Sequence, residues 1–201
     1  LGKDSRVVEI ASNDGYLLQY LVARGIPCLG IEPTAGTAEV ARARGVETIE
    51  RFFGLDFAGE LVVQRGPADL VVGNNVLAHV PDLNDFVAGV ARLLAAEGVA
   101  TFEFPHLLEL VRHRQFDTVY HEHFSYFSLH VVRAVFAAHG LRVWDVEQLQ
   151  THGGSLRVWA CRDDASHPEQ DAVPALLAAE VAAGMTSREF YRGFQSVAET
   201  V

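Results

Sequence analysis

Cysteine occurs only twice in these 201 residues, methionine once, and arginine far outnumbers lysine without forming a basic run. Each shortage removes a class of function. The two cysteines, Cys28 and Cys161, sit in apolar strand-like contexts and cannot make a disulfide framework. One bridge between them stays open, but two small buried residues in a reducing compartment is the simpler reading. Without clustered lysine or arginine, and with a formal charge of -10, the chain has little with which to displace the counterions of a phosphate backbone, so no nucleic-acid partner is expected. The longest apolar stretches, such as Val87 to Ala96, are broken by Arg92 and fall short of the ~20 residues a membrane span needs. The opening LGKDSRVVEI lacks a charged-then-apolar export signal, which makes the cytoplasm the expected location. What remains is a chain 49% hydrophobic and 21% charged, long enough to bury one sizeable core.

Strand-like and helix-like stretches alternate, the pattern of a parallel sheet covered by helices on both faces. Strands are expected at Val7 to Ala11, Ile26 to Ile31, Glu47 to Ile49, Leu70 to Gly73 and Val99 to Phe104. Helices are expected at Gly15 to Arg24, at Thr34 to Arg44, and at Leu83 to Ala96 with Gly98 as its cap; the stretch up to Arg65 is mixed. A helix from Leu129 to His139 then leads into two strand patterns, Leu141 to Gln148 and Ser155 to Cys161, separated only by a turn around His152, Gly153 and Gly154. Strands joined so tightly must be antiparallel, because a parallel pair needs a crossover of a dozen or more residues. Helical patterns follow from Pro168 to Gly184 and from Thr186 onward, and the Ala-rich run Ala172 to Ala183 has the composition of an exposed helix.

In such a sheet ligands bind beyond the carboxyl ends of the strands, where the turn after the first strand brings backbone groups to them. A pyrophosphate site wants G-x-G-x-x-G in that turn, whereas Glu9 to Gly15 reads EIASNDG with one glycine. Positions 9, 11, 13 and 15 instead resemble the E/D-x-G-x-G-x-G turn of class I methyltransferases, with Ala11 and Asn13 where glycines are usual. Alanine is the smallest side chain after glycine, and asparagine tolerates left-handed backbone angles. Glu32, ending the second strand, is placed to accept hydrogen bonds from ribose hydroxyls, a geometry that serves a dinucleotide equally well. Asn74 and Asn75 follow the fourth strand and either hold the amino-acid end of a cofactor or cap a turn. Phe52 and Phe53 either sandwich an adenine or belong to the core. The candidate cofactor residues are Glu9, Ala11, Ser12, Asn13, Gly15, Tyr16, Glu32, Pro33, Phe53, Asn74, Asn75 and His79.

The densest collection of ionisable and aromatic groups is Phe116 to Ser128, FDTVYHEHFSYFS. Glu122 beside His123 sets a carboxylate next to an imidazole, which can tune the histidine to remove a proton near neutral pH, and Tyr120 adds a phenol. A polar cluster bracing a loop is the competing reading. A metal on His121 and His123 is the weakest, since two ligands at that spacing make a poor zinc site.

Five motifs in order, VVEIASNDGYLL, GIEPT (Gly30 to Thr34), NNVLAHVPDLNDFV (Asn74 to Val87), YHEHFSYFS (Tyr120 to Ser128) and THGGSLRVW (Thr151 to Trp159), resemble the sugar C-methyltransferases that act on nucleotide-activated 4-keto-6-deoxyhexoses. The resemblance implies the Rossmann-like class I methyltransferase fold: a mostly parallel seven-stranded sheet with an antiparallel C-terminal hairpin. It implies S-adenosylmethionine as cofactor, S-adenosylhomocysteine as product, and no metal in this segment. It makes a small-molecule nucleotide sugar the partner and methylation at C3 the reaction, with His123 as the base that forms the enolate, Glu122 and Tyr120 assisting, and His121, His152 and Gly153 near the sugar. Members of that family also carry an N-terminal four-cysteine zinc domain, which two cysteines cannot build, and a C-terminal domain that helps bind the nucleotide sugar. Residues 1–164 are therefore expected to form the cofactor-binding domain and 165–201 a helical segment leading toward a further domain, the whole reading as a core that binds the cofactor. The rivals are an O- or N-methyltransferase for a small molecule, a nicotinamide dehydrogenase, and a non-catalytic domain of the same fold. The sequence assigns no oligomeric state.

Overall fold

In the computed structural model, which describes residues 1–199, the seven strands form one sheet. They are β1 (Val7–Ile10), β2 (Cys28–Ile31), β3 (Thr48–Ile49), β4 (Ala68–Asn74), β5 (Leu94–Pro105), β6 (Leu141–Leu149) and β7 (Ser155–Arg162), in the order β3-β2-β1-β4-β5-β7-β6. The pairs β1–β2, β1–β4, β2–β3 and β4–β5 are parallel, and β7 runs antiparallel between β5 and β6. The order turns back on itself between β1 and β4, which opens a crevice at their carboxyl ends. The antiparallel pairing of β6 with β7 places the expected hairpin at one edge of the sheet.

Alternation along β1 sorts its side chains between two cores. Val8 and Ile10 face the larger, with α3 (Leu55–Arg65), α4 (Leu83–Leu93) and α6 (Leu129–Ala137); Val7 faces the smaller, with Leu18 of α1 (Leu18–Val22) and Ala41 of α2 (Ala35–Ala43). A run of edge-on aromatic contacts, Phe53 to Phe86, Phe86 to Phe102 and Phe102 to Phe136, crosses the larger core. Such pairs add about 0.5–1.5 kcal/mol each beyond the area they bury.

Three expectations need correction. The helix before β5 stops at Leu93 rather than Ala96, and Gly98 caps nothing. Leu94 already pairs with Ala68, the register then shifts, and Val99 pairs with Leu70. Gly98 lies so close to β4 that a Cβ there would stand 2.7 Å from the Ala68 carbonyl oxygen, so close approach requires the glycine. The mixed segment before Arg65 is helix α3, its first turn capped from 30 residues away when the Asp85 carboxylate accepts the Leu55 amide at 3.2 Å. The Ala-rich helix is exposed over most of its surface, as expected, but it is not simply solvated: α7 (Ala172–Ala182) buries one face, Val173, Leu176 and Glu180, against β6 and α6. After it come α8 (Arg188–Arg192) and α9 (Phe194–Ala198), divided at Gly193. Cys28 and Cys161 are free thiols on strands separated by β1, β4 and β5. Among the described residues no helix is long and apolar enough to cross a membrane.

Candidate active site

The turn after β1 takes the backbone shape that its motif demands. Ala11, Asn13 and Gly15 have φ of 56°, 53° and 76°, so all three hold the left-handed conformation for which glycine is the default residue. Gly15 is needed twice over, because a Cβ there would stand 2.9 Å from a methyl of Val46. Glu32 closes the turn from β2: its two carboxylate oxygens accept the Asn13 amide at 3.1 Å and the Thr34 amide at 2.9 Å. Two backbone donors leave acceptor sites on the same carboxylate for hydroxyl groups.

Glu9 and Ser12 sit behind this turn with unmet polar atoms. Glu9 is 1% exposed and its Oε2 has no hydrogen-bond partner; the Ser12 hydroxyl is equally buried and unpartnered. Burial pushes the Glu9 carboxyl up from 4.5 to about 8, which keeps it protonated near neutrality. Gly30 of β2 has no room for a Cβ, which would collide with the Ser12 side chain. An orphaned carboxyl, an orphaned hydroxyl, a left-handed turn and a half-satisfied Glu32 fit the amino-acid and ribose ends of S-adenosylmethionine.

The acceptor side is built after β4 and β5. Asn75 is left-handed (φ 52°) and donates its amide to the Glu103 carbonyl of β5, and a 3-10 turn at Leu77–His79 follows. The Ala78 carbonyl there accepts the Phe124 amide at 2.8 Å, and His79 Nδ1 donates to the Glu122 carbonyl at 3.1 Å, so the turn holds the aromatic loop against the cofactor side of the sheet. His123 lies 4.7 Å from His79, ring to ring. Its Nδ1 donates to the Thr118 carbonyl at 2.8 Å, which fixes the proton there and leaves Nε2 as the acceptor. The Tyr120 hydroxyl lies 3.1 Å from Nε2 and donates to it. His123 therefore presents an unprotonated nitrogen held by a phenol, a constellation that can take up a proton from a bound molecule.

A family model described as a methyltransferase domain matches residues 1–146. The chain belongs to the class I S-adenosylmethionine-dependent methyltransferases. A second model, described as a C-methyltransferase C-terminal domain, matches residues 150–201. This methyltransferase is 42% identical over 195 residues to the C-methyltransferase NovU of Streptomyces niveus, a match covering 97% of the chain and 46% of NovU, so the chain spans about half the length of that relative. Among solved structures it is similar to magnesium protoporphyrin IX methyltransferase from Synechocystis with bound S-adenosylhomocysteine, with TM-score 0.61 and 15% identity over 78% of this chain and 73% of that one. An S-adenosylmethionine-dependent methyltransferase from Mesorhizobium loti aligns with TM-score 0.62 and 15% identity over 81% and 94%. At such identities these two likenesses establish the fold.

Within the methyltransferase the candidate residues do not all converge. Phe53 packs edge-on against Phe86, while Phe52 is 81% exposed, so Phe52 is the ring free to stack on a ligand. Tyr16 is exposed beside the cofactor turn, and Pro33 directly follows Glu32. Sequence adjacency misled at Glu122, whose carboxylate takes no hydrogen bond or ion pair among the described residues; the Thr118 carbonyl orients His123 instead. His121 is exposed and outside that contact, and no group of three or more metal-ligating side chains occurs among the described residues. His152 is left-handed (φ 50°) in the β6–β7 turn, and Gly153 accepts from the Gln115 amide at 2.7 Å. Glu103, missed by the sequence reading, is buried at the end of β5 and joins that turn to β7 by accepting from the Thr151 hydroxyl at 2.9 Å and from Arg157 at 2.6 Å. Only the alternation of β5 hints at it, since it is a carboxylate between Phe102 and Phe104.

Proposed function

We propose that this chain is the cofactor-binding and proton-abstracting core of a C-methyltransferase whose acceptor is C3 of a nucleotide-linked 4-keto-6-deoxy sugar. The observation that carries the reading is the His123 imidazole, whose tautomer is set by the Thr118 carbonyl and whose free nitrogen meets the Tyr120 hydroxyl. An acceptor with an acidic O–H or N–H has little need of such a base, whereas a C–H beside a ketone must be deprotonated before it can attack. The identity to NovU and the match to the C-methyltransferase C-terminal domain support a carbon acceptor. The five sequence motifs support the keto sugar.

S-adenosylmethionine, when bound, supplies an electrophilic methyl that the C3 carbanion takes up. The residues of the chain do the rest. The left-handed turn, Glu9, Ser12 and Glu32 bind and orient the cofactor. His123 Nε2 takes the C3 proton, and the resulting imidazolium keeps its Nδ1–H on Thr118, so one carbonyl stabilises both protonation states. Tyr120 turns its O–H from Nε2 toward the developing enolate oxygen, the largest charge to be stabilised in the step.

The test follows solvent deuterium into C3 of a nucleotide 4-keto-6-deoxy sugar, using the chain within its full-length protein. Wash-in is expected in the parent and absent in His123→Ala. Methyl transfer to carbon with no loss in His123→Ala overturns the assignment of the base; transfer to oxygen or nitrogen overturns the carbon acceptor. Calorimetry with S-adenosylhomocysteine and NAD tests the cofactor turn independently, and NAD binding alone sinks it.

A further inference from the structure

The most completely buried charged group lies outside the site described above. Glu180, near the end of α7, is 0% exposed, yet its carboxylate receives four donors. Oε1 accepts from His106 Nε2 at 2.9 Å and the Leu129 amide at 2.6 Å; Oε2 accepts from the His130 amide at 3.0 Å and His130 Nδ1 at 2.8 Å. A buried carboxylate is tolerated only when its acceptor sites are filled in this way, and the end of α6 that supplies two of the donors favours negative charge. Burial alone would raise the Glu180 carboxyl, but the hydrogen bonds from His106, His130 and the two amides outweigh it and hold the group down at about 2.

The donors lie on either side of the stretch that carries α5 (Leu107–His113) and the acceptor loop. Leu129 and His130 open α6, where the loop ends. His106 follows β5 and precedes α5; its amide donates to the Gly154 carbonyl, its carbonyl starts α5, and it bridges to Phe127. The same C-terminal stretch touches the loop again where Phe194 of α9 stacks on Phe116, with centroids 4.8 Å apart and planes 29° from parallel. Residues 116–128 are thus held at the start by Phe194 and at the end by Glu180, both supplied by the segment after β7.

We propose that Glu180 is a positioning residue for the acceptor side, through which the C-terminal segment sets the geometry of the Tyr120–His123 pair. This rests on the reading of His123 as the base. It makes the segment after β7 a working part of the active site rather than a spacer: when that segment shifts, the Phe194 hold on the start of the loop and the Glu180 hold on its end shift with it, and the Thr118 carbonyl moves off the imidazole.

The test uses the whole chain and needs no substrate. Glu180→Gln keeps the shape but turns an NH2 toward donors, leaving part of the set unmet; Phe194→Ala removes the second hold at the surface with little risk to folding. Amide hydrogen exchange and the 15N shifts of the His123 ring, which report which nitrogen carries the proton, are followed beside S-adenosylhomocysteine binding. In both variants amides of 116–128 are expected to exchange about tenfold faster or more, the His123 proton is expected to redistribute from Nδ1 toward Nε2, and cofactor affinity and the exchange of β1 and β4 are expected to stay as in the parent. Faster exchange throughout the molecule with the His123 tautomer retained means a structural role only and overturns the proposal, as does an unchanged loop. Should Glu180→Gln fail to fold, Phe194→Ala decides by the same two outcomes. Because none of these readings involves methyl transfer, a wrong assignment of the reaction would leave them intact and show only in the deuterium wash-in.

Discussion

Replacing Glu9 with glutamine removes the titratable proton that burial behind the cofactor turn holds in place. The folded carboxyl holds its proton up to about pH 8, whereas an unfolded glutamate releases it near 4.5. The stability tied to that proton is fully present below about 4.5 and is lost as the pH rises toward about 8. In that window each pH unit is worth about 1.4 kcal/mol, which sums to about 3–4 kcal/mol between pH 5 and 8. Glutamine is isosteric and has nothing to release, so Glu9→Gln should escape this loss. Urea unfolding of both proteins at pH 5, 6, 7 and 8 measures it: the difference in stability should move in favour of the variant by about 3–4 kcal/mol across the series. The same substitution should weaken cofactor binding, because a cationic ammonium stabilises the ionised carboxylate; binding to the parent near pH 7 should release a proton, detected by calorimetry in buffers of different ionisation enthalpy. A stability difference that stays constant with pH would show that Glu9 is not held protonated by burial, and the reasoning would fail.

Ala11→Gly should be neutral or stabilising by up to about 1 kcal/mol in thermal unfolding, because the strain of a left-handed alanine outweighs the entropy of glycine, while Ala11→Val should cost about 2 kcal/mol or more. Gly30→Ala should push Ser12 into the cofactor turn and weaken S-adenosylhomocysteine binding about tenfold or more by calorimetry, at a stability cost of about 1–3 kcal/mol. For Glu180, held at about 2 when folded against 4.5 unfolded, the contribution to stability is present above about 4.5 and is lost as the pH falls toward 2. The parent should therefore have a steep acid limb in its pH–stability curve that Glu180→Gln flattens.

The sheet was legible in the sequence because its strands carry their own signals. Val7 to Ile10 is apolar but for Glu9, Leu70 to Gly73 is an apolar run, and β5 ends at Pro105, one residue past the expected Phe104. Elements whose ends are fixed from a distance were not. Helix α3 begins under a carboxylate on α4, and no local residue announces that cap. Helix α4 gives way to β5 between Leu93 and Leu94, where an amphipathic pattern runs on unbroken and only pairing with Ala68 ends the helix. At the acceptor loop the right residues stood out, but their partners did not, because a backbone carbonyl such as that of Thr118 has no signature in residue type. Glu180 was hidden by its neighbours. In an alanine-rich helix a lone glutamate reads as a solvated residue, and only the fold brings two histidines from other elements to it.

The distribution of left-handed residues separates what the fold needs from what the site needs. Gly25, Gly45, Gly66, Gly140 and Gly184 follow α1, α2, α3, α6 and α7, where left-handed glycine ends a helix at little cost. The non-glycine cases fall elsewhere. Apart from Arg114, which ends α5, they are Ala11 and Asn13 after β1, Asn75 after β4 and His152 after β6, all at the carboxyl edge of the sheet. Each costs about 1–2 kcal/mol that a glycine would avoid, so the molecule carries its avoidable strain on the one edge where a ligand can meet those side chains. Ala11 serves as the internal control, since its methyl brings no polar group to the edge and glycine there should do as well. At Asn13, Asn75 and His152 the strained residue carries a polar side chain, and a gain in stability on replacement by glycine should come with a loss in binding.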